Sequence, residues 1–530
     1  MLQEQVLVVV SLLFGIAMLT MLSEKLKLSF PILLVISGVV ISIIPGMPQV
    51  SLQPDLVFLI FLPPLLYSAA WNTSWKDFWK MKRPISLLSF GLVIFTSAAV
   101  AIVAHALIPD FSLALGFLLG GIISPPDAIA ATSILQGLNV PKRSVTILEG
   151  ESLVNDASSL IVFRFALAAI ITGHFHLGDA AKNFALVVFM GILIGVAIAL
   201  VVYNIHRFFP TTPSIDAAIT LITPYIMYIS AEHFHFSGVL SVVSGGLFLT
   251  YHSSNLFSYE SRLNINGFWD TLTFLLNGFV FILIGLQLPV IVRGLGTYSL
   301  GEAILYGVII SLLIIVIRLI WVFPSAYVPR LLFKSIRDNE PNPGWKNVFL
   351  IGWSGMRGVV SLASALAVPL TLAGGPFPHR NLILFITFIV ILITLVFQGL
   401  SLKPLIRILK LEVKDDSEEL QALAMRIRLA ESVLSYLDTN YPEETQNHET
   451  YKRVRDRYER MVEISKRKLE TGEEESEETA FLPHYRQMLL ELIHIRRREL
   501  NYYRHTGEFA EELIRSREFE LDLEEARLSS

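Results

Sequence analysis

The chain of 530 residues contains no cysteine. That absence excludes disulfide staples, thiolate metal sites and thiol catalysis together. Charge is also scarce: 17% of residues are Asp, Glu, Lys or Arg, against roughly 25% in soluble domains. No glycine-rich loop of the phosphate-cradling kind is present, and no basic stretch marks a nucleic-acid partner. The close histidine pairs, His174/His176 and His233/His235, have no carboxylate cluster to complete them. They read as solvated or interfacial residues rather than as a metal site. No resident cofactor, no metal centre and no enzymatic activity is expected.

Apolar sequence is what the chain has in quantity. Hydrophobic residues make up 53% of it, with a mean hydropathy of +0.58, and runs near the ~20 residues that cross a bilayer recur along it. Apolar runs and the breaks between them give about thirteen spans. They cover 6–22, 31–44, 56–70, 85–107, 112–136, 145–171, 184–203, 215–230, 238–250, 268–288, 300–327, 348–369 and 382–400. The first follows Met-Leu-Gln-Glu-Gln and lacks both a basic n-region and a small-residue cleavage site. It is therefore expected to be a retained helix rather than a signal peptide.

Charge divides the chain unevenly. Residues 411–530 hold 29 Asp+Glu and 19 Lys+Arg; taken from the totals of 46 and 42, this leaves 17 and 23 for the first 410. The expected domains are thus a membrane body over 1–410 and a charged, soluble helical tail over 411–530. Loop charge orients the body. The loops after spans one, three, five and eleven carry Lys25 and Lys27, Lys76 to Arg83, Lys142 and Arg143, and Arg330 to Lys346, whereas the loops at 45–54 and 108–111 carry no Lys or Arg. Basic loops stay cytoplasmic, which puts the N-terminus outside and the C-terminus inside a cell (inner or plasma) membrane.

Two spans are interrupted. The fifth contains Ser124-Pro125-Pro126-Asp127, and the twelfth carries Gly352, Gly355 and Gly358 around Arg357. Tandem prolines remove helix hydrogen bonds and spaced glycines weaken a helix. The freed backbone groups cannot face lipid, so both breaks must line protein or a watery cavity. Spans five and twelve are seven apart, which gives them the same place in two six-helix units of opposite direction. Matching interruptions in inverted halves point to a transporter binding site. The expected fold is an all-α polytopic membrane protein of two inverted six-helix repeats with crossed broken helices, plus a cytosolic helical tail.

Ionisable residues inside spans are costly and default to function. The sixth span opens Glu149-Gly150-Glu151-Ser152-Leu153-Val154-Asn155-Asp156. Ser152 and Asp156 are four apart, share a helix face and can converge on one ligand. A carboxylate and a hydroxyl are hard oxygen ligands suited to an alkali cation. Asn155 is placed to hydrogen-bond across to a broken helix, and the expected cation/proton-binding set is Asp156, Ser152, Asn155, Asp127 and Pro126. Glu151 lies one position off that face, and Arg357 is its expected partner, because a lone buried guanidinium would be very costly while a bidentate pair is tolerable. Asp127, at the fifth-span break, is placed to compensate the positive ends of half-helix dipoles. Arg164 and Arg318 also lie in apolar runs and are open to either a structural partner or snorkelling.

The run from Glu149 to Asp156 resembles the signature of the monovalent cation/proton antiporter family, in the branch of the animal sodium/hydrogen exchangers. Phe61-Leu62-Pro63-Pro64, Ile123-Ser124-Pro125-Pro126-Asp127, Phe274-Leu275-Leu276-Asn277-Gly278 and Gly355-Met356-Arg357-Gly358 resemble its other motifs in order. The resemblance covers the membrane part and stops near Lys410. It implies thirteen helices in two inverted repeats, with a core domain beside a dimerisation domain, hence a homodimer. It implies that Asp156 exchanges cation for proton, that Ser152 helps ligate the cation, and that Glu151 pairs with Arg357 structurally. Asn155–Asp156 resembles the electroneutral branch. Two departures bear on the cation. Relatives usually read Thr-Asp-Pro where this chain reads Pro126-Asp127-Ala128, so any ligand at Pro126 would be a carbonyl. Many also carry an acid near Ser68.

The expected activity is antiport of cytoplasmic Na+ (or Li+) for external H+ in pH and sodium homeostasis, with a K+/H+ antiporter as the alternative and a cation channel behind it. A channel predicts conductance without stoichiometric counter-transport. In the tail, Glu473 to Glu478 form an acidic run that reads as a solvated face or linker.

Overall fold

A computed structural model describes the chain except for residues 1, 27–28, 45–53, 136–137, 139, 174–176, 297, 341, 373–374, 412–415, 472–476, 507–508, 510 and 530. Lys27, nearly all of the loop at 45–54, His174, His176 and the acidic run from Glu473 to Ser476 therefore lie outside the described residues. The chain divides into two compact units, Met1–Val413 and Lys414–Ser530.

The first unit is helical, apart from one short antiparallel pairing of Thr371–Leu372 with Gly375–Pro376. Its helices longer than two turns are α1 (Leu2–Leu26), α2 (Phe30–Ile43), α3 (Pro54–Asn72), α4 (Lys82–Leu107), α5 (Leu113–Ile123), α6 (Ala128–Leu135), α7 (Lys142–Thr172) and α8 (Leu177–Phe208). They continue with α9 (Pro213–His233), α10 (Gly238–Leu256), α11 (Tyr259–Leu286), α12 (Leu300–Leu332), α13 (Trp345–Trp353), α14 (Val359–Leu366) and α15 (Arg380–Leu409). Among the described residues, 9 helical stretches are long and apolar enough to cross a membrane, counting α5 with α6. Four of the thirteen expected spans are not among these nine: 31–44, 56–70, 238–250 and 348–369 fall on the shorter apolar helix α2, on α3, on α10 and on the interrupted pair α13/α14.

The outward faces are apolar too: Phe14, Phe189 and Ile102 are each more than 60% exposed. Apolar side chains outside and satisfied polar groups inside are what a lipid solvent demands. The chain is an all-α polytopic membrane protein.

Two apolar clusters organise the helices. One gathers α2, α4, α5, α12, α15 and the C-terminal half of α11 around residues such as Leu34, Leu118, Phe281, Phe385 and Phe388. The other gathers α3, α9, α10 and α11 around Tyr67, Met227, Val242 and Trp269. Helix α7 serves both, through Ile147, Leu148 and Phe163 on one side and Leu153 and Ala157 on the other. It joins the two clusters, as α3 and α11 also do, and it carries the Glu149–Asp156 signature.

Close approach is secured by small residues. On α5, Gly116 and Gly120 face the α4 backbone; an added Cβ would lie 2.6 Å from the Cα of Ala101 and of Ser97. Without a hydrophobic drive between helices in lipid, such contacts let dispersion hold the pair together. In α4, a π-helical turn at Leu87–Leu92 frees backbone for other partners: the Leu87 carbonyl accepts a hydrogen bond from Trp321 Nε1 at 3.1 Å, and Ser89 reaches α7.

The second unit contains α16 (Asp416–Asn440), α17 (Glu449–Thr471), α18 (Glu477–Thr506) and α19 (Glu511–Ser529). Exposed ion pairs join α16 to α17 (Lys466–Glu431, 2.7 Å) and α18 to α19 (Arg497–Glu525, 2.5 Å). Each such pair adds about 0–1 kcal/mol, so apolar residues such as Ile427, Ala430 and Ile493, buried within the unit, carry its packing.

The α4–α5 contact yields a stability prediction. Gly120→Leu should cost about 1–3 kcal/mol through overpacking against Ser97 and lower the thermal midpoint of the detergent-purified protein by several degrees. Gly301→Ala, which meets nothing within 4 Å, should leave it unchanged in the same melting assay.

Candidate functional site

The two interruptions meet. Helix α5 stops at Ile123 and α6 starts at Ala128; α13 stops at Trp353 and α14 starts at Val359. Between them, Asp127 N donates to the Met356 carbonyl at 2.7 Å. The prolines and glycines noted in the sequence thus create two breaks that satisfy each other's backbone.

Four half-helix ends converge here, and each has a partner of the right sign. At the C-terminal end of α5, Arg357 Nε donates to Ile123 O at 2.9 Å and Nη2 to Ser124 O at 3.4 Å. Its Nη1 donates to the Gly355 carbonyl. At the C-terminal end of α13, Arg318 donates to Ile351 O through Nε (3.3 Å) and Nη2 (3.1 Å). At the N-terminal end of α6, Asp127 Oδ1 accepts from Ile129 N at 2.8 Å and Ser152 Oγ accepts from Ala128 N at 3.2 Å. At the head of α14, Gly358 lies against the Asp127 carboxylate: a Cβ added to it would overlap Asp127 Oδ2. Only glycine leaves that approach open.

The expected pairing of Glu151 with Arg357 is corrected by this geometry. Glu151 forms a bidentate pair with Arg318, Nη1–Oε1 at 2.5 Å and Nη2–Oε2 at 2.8 Å, with both side chains essentially fully buried. Arg357 instead turns to the carbonyls at the end of α5, and its backbone N–H donates to Thr394 Oγ1 at 3.1 Å. The physical reason is that a broken helix exposes carbonyls that satisfy a guanidinium without a carboxylate. Arg318 has the structural partner left open by the sequence. Arg164 pairs with Glu232 at 2.5 Å, half-exposed.

Asp156, Ser152, Asp127 and Pro126 line one cavity of about 180 Å³. Asp156 is 8% exposed, and its carboxylate has no hydrogen-bond or ion-pair partner among the described residues. Asn155 is not in the cavity wall; its Nδ2 donates to the Pro126 carbonyl at 3.0 Å and so ties α7 to the fifth-span break. Ser159 and Ser158 donate to the carbonyls of Asp156 and Asn155, both at 2.9 Å. Ser89 Oγ donates to the Glu151 carbonyl at 3.1 Å, which seats the π-helical turn of α4 on α7. Ser68 is buried but absent from the wall, to which α3 contributes Leu62, Leu65, Leu66, Ala69 and Asn72, with Thr73 just beyond its end. Ser361 and Glu149, to which no role was assigned from the sequence, also line it. For Glu149 the signal was available, three residues before Ser152 and seven before Asp156.

Broken helices crossing beside buried carboxylates, in an all-helical polytopic body, are the build of a membrane transporter. The family is more specific: the sodium/hydrogen exchanger transmembrane family matches residues 8–408, and the chain belongs to it. It is 33% identical over 382 residues to the sodium, potassium, lithium and rubidium/H(+) antiporter of Bacillus pumilus, covering 70% of this chain and 57% of that one. This chain thus spans less than two thirds of that relative's length. To the Na(+)/H(+) antiporter ApNhaP of Aphanothece halophytica it is 30% identical over 446 residues, 83% of this chain and 81% of the relative. Its fold is like that of the sodium proton antiporter MjNhaP1 of Methanocaldococcus jannaschii: TM-score 0.62 at 19% identity, covering 78% of this chain and all of that one.

The corrected pairing predicts a coupling pattern. Arg318→Met should cost about 3–5 kcal/mol by leaving Glu151 buried and unpaired, and Arg318→Met/Glu151→Gln should cost much less than the two single changes summed. Unfolding measured for that cycle and for the Arg357→Met/Glu151→Gln cycle should give the larger coupling to Arg318.

Proposed function

We propose that the chain is a secondary active antiporter that exchanges cytoplasmic Na+, or Li+, for external H+ by competition at Asp156. The observation that carries this reading is the unpartnered Asp156 carboxylate facing a cavity whose ionisable lining residues are Asp127, Glu149 and Asp156, with no Lys or Arg. Such a wall favours a cation or a proton and disfavours an anion. Ser152 Oγ and the Pro126 carbonyl add hard oxygen ligands from two sides. The cavity wall includes the C-terminal end of α3, which leads to the basic loop at Lys76 to Arg83. On the charge pattern of the loops this is the cytoplasmic side.

Competition makes exchange obligatory. A bare aspartate crossing low-dielectric surroundings carries the cost of an unpaired buried ion. Cation or proton removes that cost, so the body carrying the site crosses loaded in either direction. With Asn155 neutral beside Asp156, one carboxylate accepts one cation or one proton, which makes the cycle electroneutral. The exchanger domain is assigned to 1–410 and a cytosolic helical tail to 411–530, in a homodimer in the cell membrane serving pH and sodium homeostasis.

K+/H+ antiport is the second reading. It is favoured by Pro126 standing where relatives carry a threonine hydroxyl, and by the name of the Bacillus pumilus relative, which includes potassium.

In proteoliposomes, Asp156→Asn should abolish cation-dependent proton flux, while Ser152→Ala should weaken cation affinity and leave flux measurable. Exchange surviving in Asp156→Asn would sink the assignment. Proton flux driven by Na+, Li+ and K+ at several pH values separates the two cation readings, and conductance without counter-transport would indicate a channel.

A further inference from the structure

Glu149 belongs to the signature run, yet the mechanism above gives it no task. On α7 it precedes Ser152 by three residues and Asp156 by seven, so all three lie on one face. Seven residues place its Cα about 10.5 Å along the helix axis from that of Asp156. All three line the same cavity. Glu149 is half-buried and shares the cavity wall with Asn72, which is exposed at the end of α3.

Its surroundings argue against a structural role. Glu151, two residues on, is locked in a bidentate pair with Arg318. Glu149 has no hydrogen-bond or ion-pair partner among the described residues. Arg143, near the start of α7, is turned to Glu340 at 3.5 Å and is not part of the cavity wall. A carboxylate held within a membrane helix without a partner is costly and calls for a functional explanation.

We propose that Glu149 is a cation-recruiting residue at the cavity mouth, which raises the local concentration of monovalent cation and hands it to Asp156. The inference rests on the exchanger reading. Glu149 acts through its charge, in a wall to which Asn72, Thr73 and Thr132 add polar side chains, while Asp156 alone exchanges cation for proton. A focused negative potential in a low-dielectric funnel raises cation occupancy, and the effect weakens as salt screens it.

The test is Na+-dependent proton flux in proteoliposomes for wild type, Glu149→Gln, Glu149→Asp and Asp156→Asn, each at low ionic strength and with added choline chloride. Glu149→Gln should raise the KM for Na+ about three- to tenfold, the size of a single-charge effect at this separation, with a much smaller change in maximal rate. Glu149→Asp should recover most of the affinity, and choline chloride should narrow the gap between wild type and Glu149→Gln. A wild-type KM in Glu149→Gln, or a loss confined to maximal rate, overturns the role of Glu149 while leaving Asp156 in place. Wild-type protein without cation-driven flux, or Asp156→Asn retaining it, overturns the exchanger reading itself.

Discussion

The structure depends on how two helices are broken inside a low-dielectric body. Each break leaves backbone donors and acceptors without intrahelical partners and two dipole ends facing inward. In lipid these groups have no water to turn to. The solution is mutual: Asp127 N donates to Met356 O across the crossing, guanidinium groups sit at both carbonyl ends, and the Asp127 carboxylate caps the head of α6 and lies against Gly358 at the head of α14. The ions are held in place because the backbone needs them, and the backbone stays open because they are there. Removing any one of them leaves several groups unsatisfied at once.

This arrangement explains the glycine and proline pattern better than local propensity does. Pro125 and Pro126 end α5 because they lack donors, but the position of the stop matters because Ile123 and Ser124 then present carbonyls to Arg357. Gly358 is required for a different reason. Its missing Cβ is the space occupied by Asp127 Oδ2. One chain break is dictated by missing hydrogen bonds and the other by a carboxylate's volume.

Much of this was legible in the sequence. Apolar runs gave the class of fold, the Pro-Pro and Gly-rich interruptions gave the breaks, and the four-residue spacing of Ser152 and Asp156 gave their shared face. Asn155 was legible as a tie across to a broken helix, which is the bond it makes to Pro126 O. The partner of Glu151 was not. Two arginines lay in apolar runs, and sequence spacing within a helix says nothing about which distant helix packs against it. The choice of Arg357 assumed that a buried guanidinium needs a carboxylate. Arg357 shows that three helix-end carbonyls suffice, and that freed Glu151 for Arg318. The omission of Glu149 had another cause: its spacing was plain, but only the cavity separates a lining residue from one merely on the right face.

The segregation of charge that results bears directly on transport. The arginines of the crossing, Arg318 and Arg357, are buried and engaged behind the cavity wall, while the carboxylates Asp127, Glu149 and Asp156 line it. Two of those three are not equivalent to Asp156. Asp127 is committed to helix ends through Ile129 N and the head of α14, so a proton or cation taken up there would disturb the crossing itself. Glu149 lies farther out. Asp156 makes no such contact, so its charge state can change without breaking a bond that holds the fold. On the exchanger reading, that freedom is what distinguishes the site of exchange from the carboxylates around it. The arginines behind the wall are engaged by a carboxylate or by helix-end carbonyls, whereas Glu149 and Asp156, in the cavity wall, keep carboxylates without a partner among the described residues.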